Sequence, residues 1–319
     1  VHGYTIGQSQ EGDVWSMIAR RGRMLAGLAF LVLLSLLAYP LSSGAQTEPT
    51  PPPRTAEEDA WVNGTLARMT TADKVGQLFL VSFQGSDVGA ASDIARLVQV
   101  YRIGGVILSP QMENFVNDAT TPQQVLALTT GLQNLAFSVS PPVTLTQYVP
   151  VTATLPLGEG EALSETEPVT ISSVITVTRV ITLPAQGMPL LTAVLWEGDG
   201  YPYTALRGGM TELPSNMAVG ATWKADYAES LGRIVGQELE ALGINLLLGP
   251  SLDVLSDPHP GQSGDLGTRV FGGDPYWVGR MGQAYIRGLH SASRGRVAAV
   301  AKHLPGLGAS DRSPEEEIA

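Results

Sequence analysis

An α/β fold, with a parallel sheet covered by helices, is predicted by three features of the sequence. Five short apolar runs lack the apolar–polar alternation of a strand with one wet face, so each reads as a strand buried on both sides. Segments with helical spacing fall between them, which is the βα alternation of a parallel sheet. Polar and charged residues collect where the runs end, the place where such sheets carry their chemistry. A (β/α) barrel and a doubly wound sheet both satisfy these features, and periodicity does not choose between them.

The chain has 319 residues, 44% of them apolar, enough for one large α/β domain or two small ones. Residues 1–45 read as a leader and signal peptide. Arg20, Arg21 and Arg23 precede an apolar run over 24–39, and Pro40, Ser43 and Ala45 then resemble a signal-peptidase site. Residues 1–16 are polar, and Met17 would begin a short basic leader. The competing reading is an uncleaved anchor, for which the run is short of the roughly 20 residues a spanning helix needs. Cleavage leaves a secreted or extracytoplasmic protein with no stable membrane span. Residues 46–56, with "TEPTPPPR", are a solvated, proline-stiffened linker.

The folded part is expected over 57–319. "AEEDAWVNGTLARMTTADKVGQ" carries helical spacing at Trp61, Leu66, Met69 and Val75, with Thr71 placed to cap a second helix. "LFLVSFQ" (78–84) is the first strand, "SDIARLVQVYRI" a helix, and "GGVILSP" (104–110) the second strand. "TPQQVLALTTGLQNLAF" is a helix opened by Thr121 and Pro122. The third strand is "LLTAVLW" (190–196), followed by the helix "KADYAESLGRIVGQELEALG" and the fourth strand "INLLLGPSLDV". The helix "PYWVGRMGQAYIRGLHSA" leads to the fifth strand, "VAAVAKHLPG". One stretch breaks the rhythm: residues 138–186 are rich in Thr, Val, Pro and Ser. They read as an exposed low-complexity insertion, or as β-hairpin material because Val, Ile and Thr favour extended backbone.

Thirty acidic residues against nineteen basic ones give a net charge of −11, which argues against nucleic acid as a partner. The absence of cysteine removes disulfides and thiolate metal sites. "GLGAS" has only part of a phosphate-cradling loop, and His259 and His303 have no metal-ligand spacing. Ser215 and Ser251 lack the G-x-S-x-G context of an acyl-transfer nucleophile. No cofactor or metal is therefore expected, and the oligomeric state is left open.

The ends of the last three strands are different. "WEGDGYPY", "PSLDV", "GTRVFGGDP" and "KHLPGLGASDRSP" bring Glu197, Asp199, Asp253, Arg269, Lys302 and His303 to one rim. Donors and acceptors of both signs suit a neutral ligand with many hydroxyls, each of which donates and accepts. Each residue also has a plainer reading. Asp253 is placed to cap a turn, Arg269 to pair at the surface with Asp265 or Asp274, His303 to be a core histidine, and Glu197 to support the loop at Gly198 and Gly200.

"AVLWEGDGYP", "ELPSNMAVGATWKADYAESLGRIVGQELEALGINLLLGPSLDV", "RVFGGDPYWVG" and "AKHLPGLG", in that order, resemble the N-terminal barrel domain of glycoside hydrolase family 3. That family includes β-N-acetylhexosaminidases and β-glucosidases. The resemblance runs from about residue 60 to the end, outside the Thr/Val-rich insertion. It implies a (β/α)8 TIM-type barrel of which about the first five βα units lie in this chain. It also implies a retaining mechanism in which an aspartate attacks the anomeric carbon and a second group moves the proton. The partner implied is a carbohydrate with a terminal β-linked sugar, N-acetylglucosamine or glucose. Lys302 and His303 would bind hydroxyls of that sugar, Arg269 would be the matching arginine, and Asp253 the aspartate of the family's P-x-L-D-V.

Three departures accompany the resemblance. The family's Asp-Gln-Glu-Gly-Gly is "LWEGDG" here, so its sugar-binding aspartate falls on Leu195, with Asp199 a possible substitute. Its "KHFPGHG" has Leu at 304 and 307. The catalytic loop histidine of hexosaminidase-type members is absent, its triplet falling on Ser313, Pro314 and Glu315, and Asp311 stands as a remnant of the dyad or a loop cap. The family's nucleophile belongs downstream of residue 319. The expectation is thus a glycosidase segment inactive by itself, or alternatively a vestigial, non-catalytic sugar-binding barrel.

Overall fold

The computed structural model describes residues 54–154, 170–198, 200, 204–258 and 266–308. The leader and signal peptide, positions 46–53 of the linker, Asp199 and Asp311 lie outside the described residues. The chain divides into two units between Trp61 and Val62. A helix, α1 (Ala56–Arg68), opens with Glu57, Glu58 and Asp59 in its first turn, where acidic side chains oppose the helix dipole, and none of its residues is buried.

From there the elements are α2 (Thr71–Gly76), β1 (Leu80–Ser82), α3 (Asp93–Gln99), β2 (Gly105–Leu108) and α4 (Thr121–Phe137). They continue with β3 (Val143–Thr154), β4 (Thr170–Ile181), β5 (Leu191–Val194), α5 (Asn216–Gly220) and α6 (Ala225–Ala241). The last are β6 (Leu246–Leu247), α7 (Pro275–Ala292) and β7 (Ala298–Ala299). The predicted helical stripe across α1 and α2 is interrupted. Thr70, one residue before the expected cap, forms a capping box with Asp73 and starts a new helix axis. Leu66 and Val75 therefore do not share a face, and both are exposed.

Five strands form one sheet in the order β1-β2-β5-β6-β7, every neighbour pair parallel. The order follows the sequence without reversal. A doubly wound sheet reverses at a switch point, whereas a TIM-type barrel adds each strand beside the last. The ambiguity left by periodicity is thus resolved toward the barrel progression, with four βα units and a fifth strand among the described residues. The strands are shorter than the apolar runs, yet pairing continues past them. Leu248 N–H donates to the Val194 carbonyl at 2.9 Å, Val300 N–H to Leu247 at 2.9 Å, and an isolated parallel bridge joins Ser251 to Lys302.

Both faces of the central strands are covered, as the absence of alternation implied. Val106, Leu108, Ala193, Val194 and Leu247 are buried, with Ile94 and Val98 of α3, Val125 and Leu132 of α4, Val235 and Leu239 of α6, and Met281 and Leu289 of α7 packed around them. The Thr/Val-rich segment is a separate two-stranded antiparallel ribbon, from Val143↔Ile181 to Thr154↔Thr170. Of its two readings, paired strands are what form, because β-branched residues favour extended backbone and each strand satisfies the other's amides. Its root is fixed by Ser140 N–H on the Leu183 carbonyl at 3.0 Å and Leu183 N–H on Ser140 Oγ at 2.8 Å.

Candidate functional site

Two charged groups occupy the carboxyl ends of β5, β6 and β7. The first is built on Glu197, three residues beyond β5. Gly198 next to it leaves no room for a side chain, since a Cβ there would stand 2.0 Å from the Pro214 carbonyl oxygen. Thr204 ties the same loop by accepting from Gly200 N–H at 2.9 Å and donating to the Glu197 carbonyl. The Glu197 carboxylate, buried, meets Arg269 Nε at 3.1 Å through Oε2 and Lys302 Nζ at 3.2 Å through Oε1. Among the described residues one carboxylate meets two cations where little water reaches: the side chains of Glu197, Arg269 and Lys302 are 2%, 8% and 13% exposed.

Arg269 arrives at the end of a 3₁₀ turn over Gly267–Arg269, and Asn216 Nδ2 donates to its carbonyl at 2.7 Å. Beneath Glu197, Tyr285 of α7 is buried. That burial first, and the negative charge of Glu197 second, push the phenol far above its ordinary range, so it stays neutral.

The second group is built on Asp253. Its Oδ2 accepts from Ser251 Oγ at 2.8 Å and from His303 N–H at 3.2 Å, and lies 2.7 Å from His303 Nδ1. Its Oδ1 accepts from Leu307 N–H at 2.7 Å. The turn through Pro305 and Gly306 thus wraps back onto the carboxylate, and Gly308 fits only because it lacks a side chain: a Cβ there would stand 1.6 Å from the Val254 carbonyl oxygen. Burial by itself would raise the Asp253 carboxyl. The hydrogen bonds from His303, Leu307 and Ser251, with the charge of His303, outweigh it and hold the carboxyl below its ordinary range. The peptide bonds Lys302–His303 and Leu304–Pro305 are cis.

The two groups share a backbone. Lys302 and His303 are consecutive, and Leu252 N–H donates to the Lys302 carbonyl at 2.6 Å. Five predicted rim residues, Glu197, Asp253, Arg269, Lys302 and His303, are accordingly brought together, while Asp199 and Asp311 lie outside the described residues. The plain readings sort unevenly. Arg269 pairs with buried Glu197, and Asp265 lies outside the described residues. Asp253 does close a turn, and does so from within the site. Leu195, at the departure noted in the sequence, is half-buried at the end of β5. Ser251 and Asn216 were missed as positioning residues; the i, i+2 spacing of Ser251 to Asp253 is a local signal for the first, and no local signal marks the second.

Among the described residues no group of three or more His, Asp or Glu is arranged to hold a metal ion. Among the same residues no helix is long and apolar enough to cross a membrane. What the arrangement can do is present fixed cations and an imidazole, braced from behind, to a ligand rich in hydroxyls.

Residues 158–318 match the family model described as the glycosyl hydrolase family 3 N terminal domain. A β-N-acetylglucosaminidase/β-glucosidase of Cellulomonas fimi is 29% identical over 254 residues, covering 79% of this chain and 32% of that protein. A β-hexosaminidase of Pseudomonas aeruginosa is 36% identical over 120 residues, covering 37% of this chain and 33% of that protein. Among solved structures, a family 3 β-N-acetylglucosaminidase of Paenibacillus sp. str. FPU-7 is similar with a TM-score of 0.50 and 28% identity, over 75% of this chain and 34% of that one. The chain spans about a third of the length of these relatives.

Proposed function

The chain belongs to the glycosyl hydrolase family 3 N-terminal domain family, and we propose that it supplies the terminal-sugar subsite of an exported retaining β-glycosidase. The observation that carries this reading is the buried Glu197 holding Arg269 and Lys302 together at the mouth of the sheet, beside the Asp253–His303 pair. Arg269, Lys302 and His303 bind the hydroxyls of a terminal β-linked N-acetylglucosamine or glucose. Glu197 and Asp253 act as positioning residues, the one fixing the two cations and the other the imidazole and the returning loop.

In this reading a carboxylate supplied by the complete gene product attacks the anomeric carbon, the leaving oxygen takes a proton, and water then releases the sugar with retained configuration. Asp311 is the candidate for the proton-transfer loop, and Asp199 for a further hydroxyl contact. Residues 1–45 direct export. Leu195, where the family carries a sugar-binding aspartate, favours a second reading, a barrel that binds sugar without hydrolysing it.

Release of p-nitrophenol from the β-N-acetylglucosaminide and the β-glucoside by the complete gene product separates the two. Turnover of either supports the glycosidase. No turnover by a folded protein that still binds the free sugar supports the second reading.

A further inference from the structure

Three contacts link the site to an aromatic pair. Asn216, first residue of α5, donates to the Arg269 carbonyl at 2.7 Å. Gly220, the last, packs so closely that a Cβ would stand 1.8 Å from the Phe271 carbonyl oxygen. Trp223 then meets Trp277 edge to face, ring centroids 5.2 Å apart at 82°. This pair lies seven residues beyond Asn216 and eight beyond Arg269 in the chain. It sits at the start of α6 and α7. In a parallel βα unit the helix starts on the side where the strands end, so the pair shares the face of the site.

The surface there is aromatic. Within 215–230 and 266–280 the exposed large apolar side chains are Trp223, Tyr227 and Tyr276. Tyr276 packs on Trp277 with centroids 5.7 Å apart, and Lys224 Nζ stands 5.8 Å from the centre of the Tyr227 ring. Trp223 is 58% exposed and has φ +56°, the left-handed region that disfavours a bulky residue. Holding a residue there is strained, and the indole is not buried in return. Glycine would adopt the same backbone without strain.

Resting on the glycosidase reading above, we propose that Trp223, Trp277 and Tyr276 form a second carbohydrate-binding shelf, which holds units of a β-linked N-acetylglucosamine polymer whose end enters the site. The names of similar proteins, β-N-acetylglucosaminidases, point to the sugar, and two observations point to a carbohydrate at this place. The shelf stands at the starts of α6 and α7, on the face of the sheet where the strand ends carry the site. Its exposed apolar groups are rings with polar edges and not aliphatic chains, which suits a ligand with apolar ring faces and hydroxyl rims.

The test is retention of the complete gene product on crystalline chitin, measured by depletion from solution. Trp223→Gly, which relieves the backbone and preserves the fold, is expected to weaken retention about tenfold, and Tyr276→Ala to weaken it in the same direction. Turnover of p-nitrophenyl β-N-acetylglucosaminide by both variants is expected to stay at the wild-type level. Lys302→Ala, which strikes the site, is expected to keep chitin retention. Equal retention of wild type and Trp223→Gly overturns the shelf. So does a fall in molecular mass by light scattering for Trp223→Gly, which would make the shelf a contact with a second copy. Loss of aryl-glycoside turnover in the wild type, with retention still dependent on Trp223, would fail the glycosidase reading and leave the shelf standing.

Discussion

Glu197 stands between two cations where water is nearly excluded. Glu197→Gln keeps the size and removes the charge that Arg269 and Lys302 share. Breaking a buried ionic group by removing one partner costs about 3–5 kcal/mol, and urea unfolding of the variant is expected to show a loss of that order with an unchanged m value. Asp253 makes a different prediction, because its folded pKa is depressed. The unfolded state binds the proton more readily, so Asp253 contributes stability above its unfolded pKa of about 3.9 and loses it as pH falls through the lower folded value. Urea midpoints of the wild type and Asp253→Asn, measured from neutral to acid pH, are expected to converge below about pH 4. At this scale the rim residues were legible because they interrupt apolar runs. Their pairing was not, since Glu197 and Arg269 are 72 positions apart and only the register of the sheet brings them together.

The helices that carry the mouth depend on glycine. α6 and α7 lie against each other through Gly232 and Gly236, where a Cβ would stand 2.0 Å from the Tyr285 carbonyl oxygen and 2.4 Å from that of Leu289. In an isolated helix alanine is favoured over glycine by about 1 kcal/mol. Here the added methyl must push α7 away, with Tyr285 and the floor beneath Glu197. Gly232→Ala is therefore expected to destabilise by about 1–3 kcal/mol, read from denaturant unfolding, against the direction of its propensity. The bounds of α7 were legible to the residue, since Asp274 caps it and Pro275 starts it. The strands were legible in place and not in length, because apolar character continues past the residues that form the regular ladders. The short α5 left no periodic trace, five residues being too few for one.

For the molecule as a whole, strand order carries the most information. A sequential parallel sheet puts every strand end on one rim, so the charged tips of β5, β6 and β7 converge without any loop having to reach across. Composition and period could not supply this order, because burial on both faces reads the same in a barrel and in a doubly wound sheet. The Thr/Val-rich ribbon is peripheral to it, joined through Ser140 and Leu183. Replacing 143–181 by a short Gly/Ser linker is expected to change the stability of the α/β unit by no more than about 1 kcal/mol, checked by the urea midpoint.

In the proposed function a terminal sugar is gripped by Arg269, Lys302 and His303. Isothermal titration of N-acetylglucosamine into the complete gene product and its Lys302→Ala variant, both checked for fold by circular dichroism, tests it most directly. Affinity weakened about tenfold or more is the predicted result, as for loss of a charge-assisted contact. An unchanged Kd in the folded variant would contradict it.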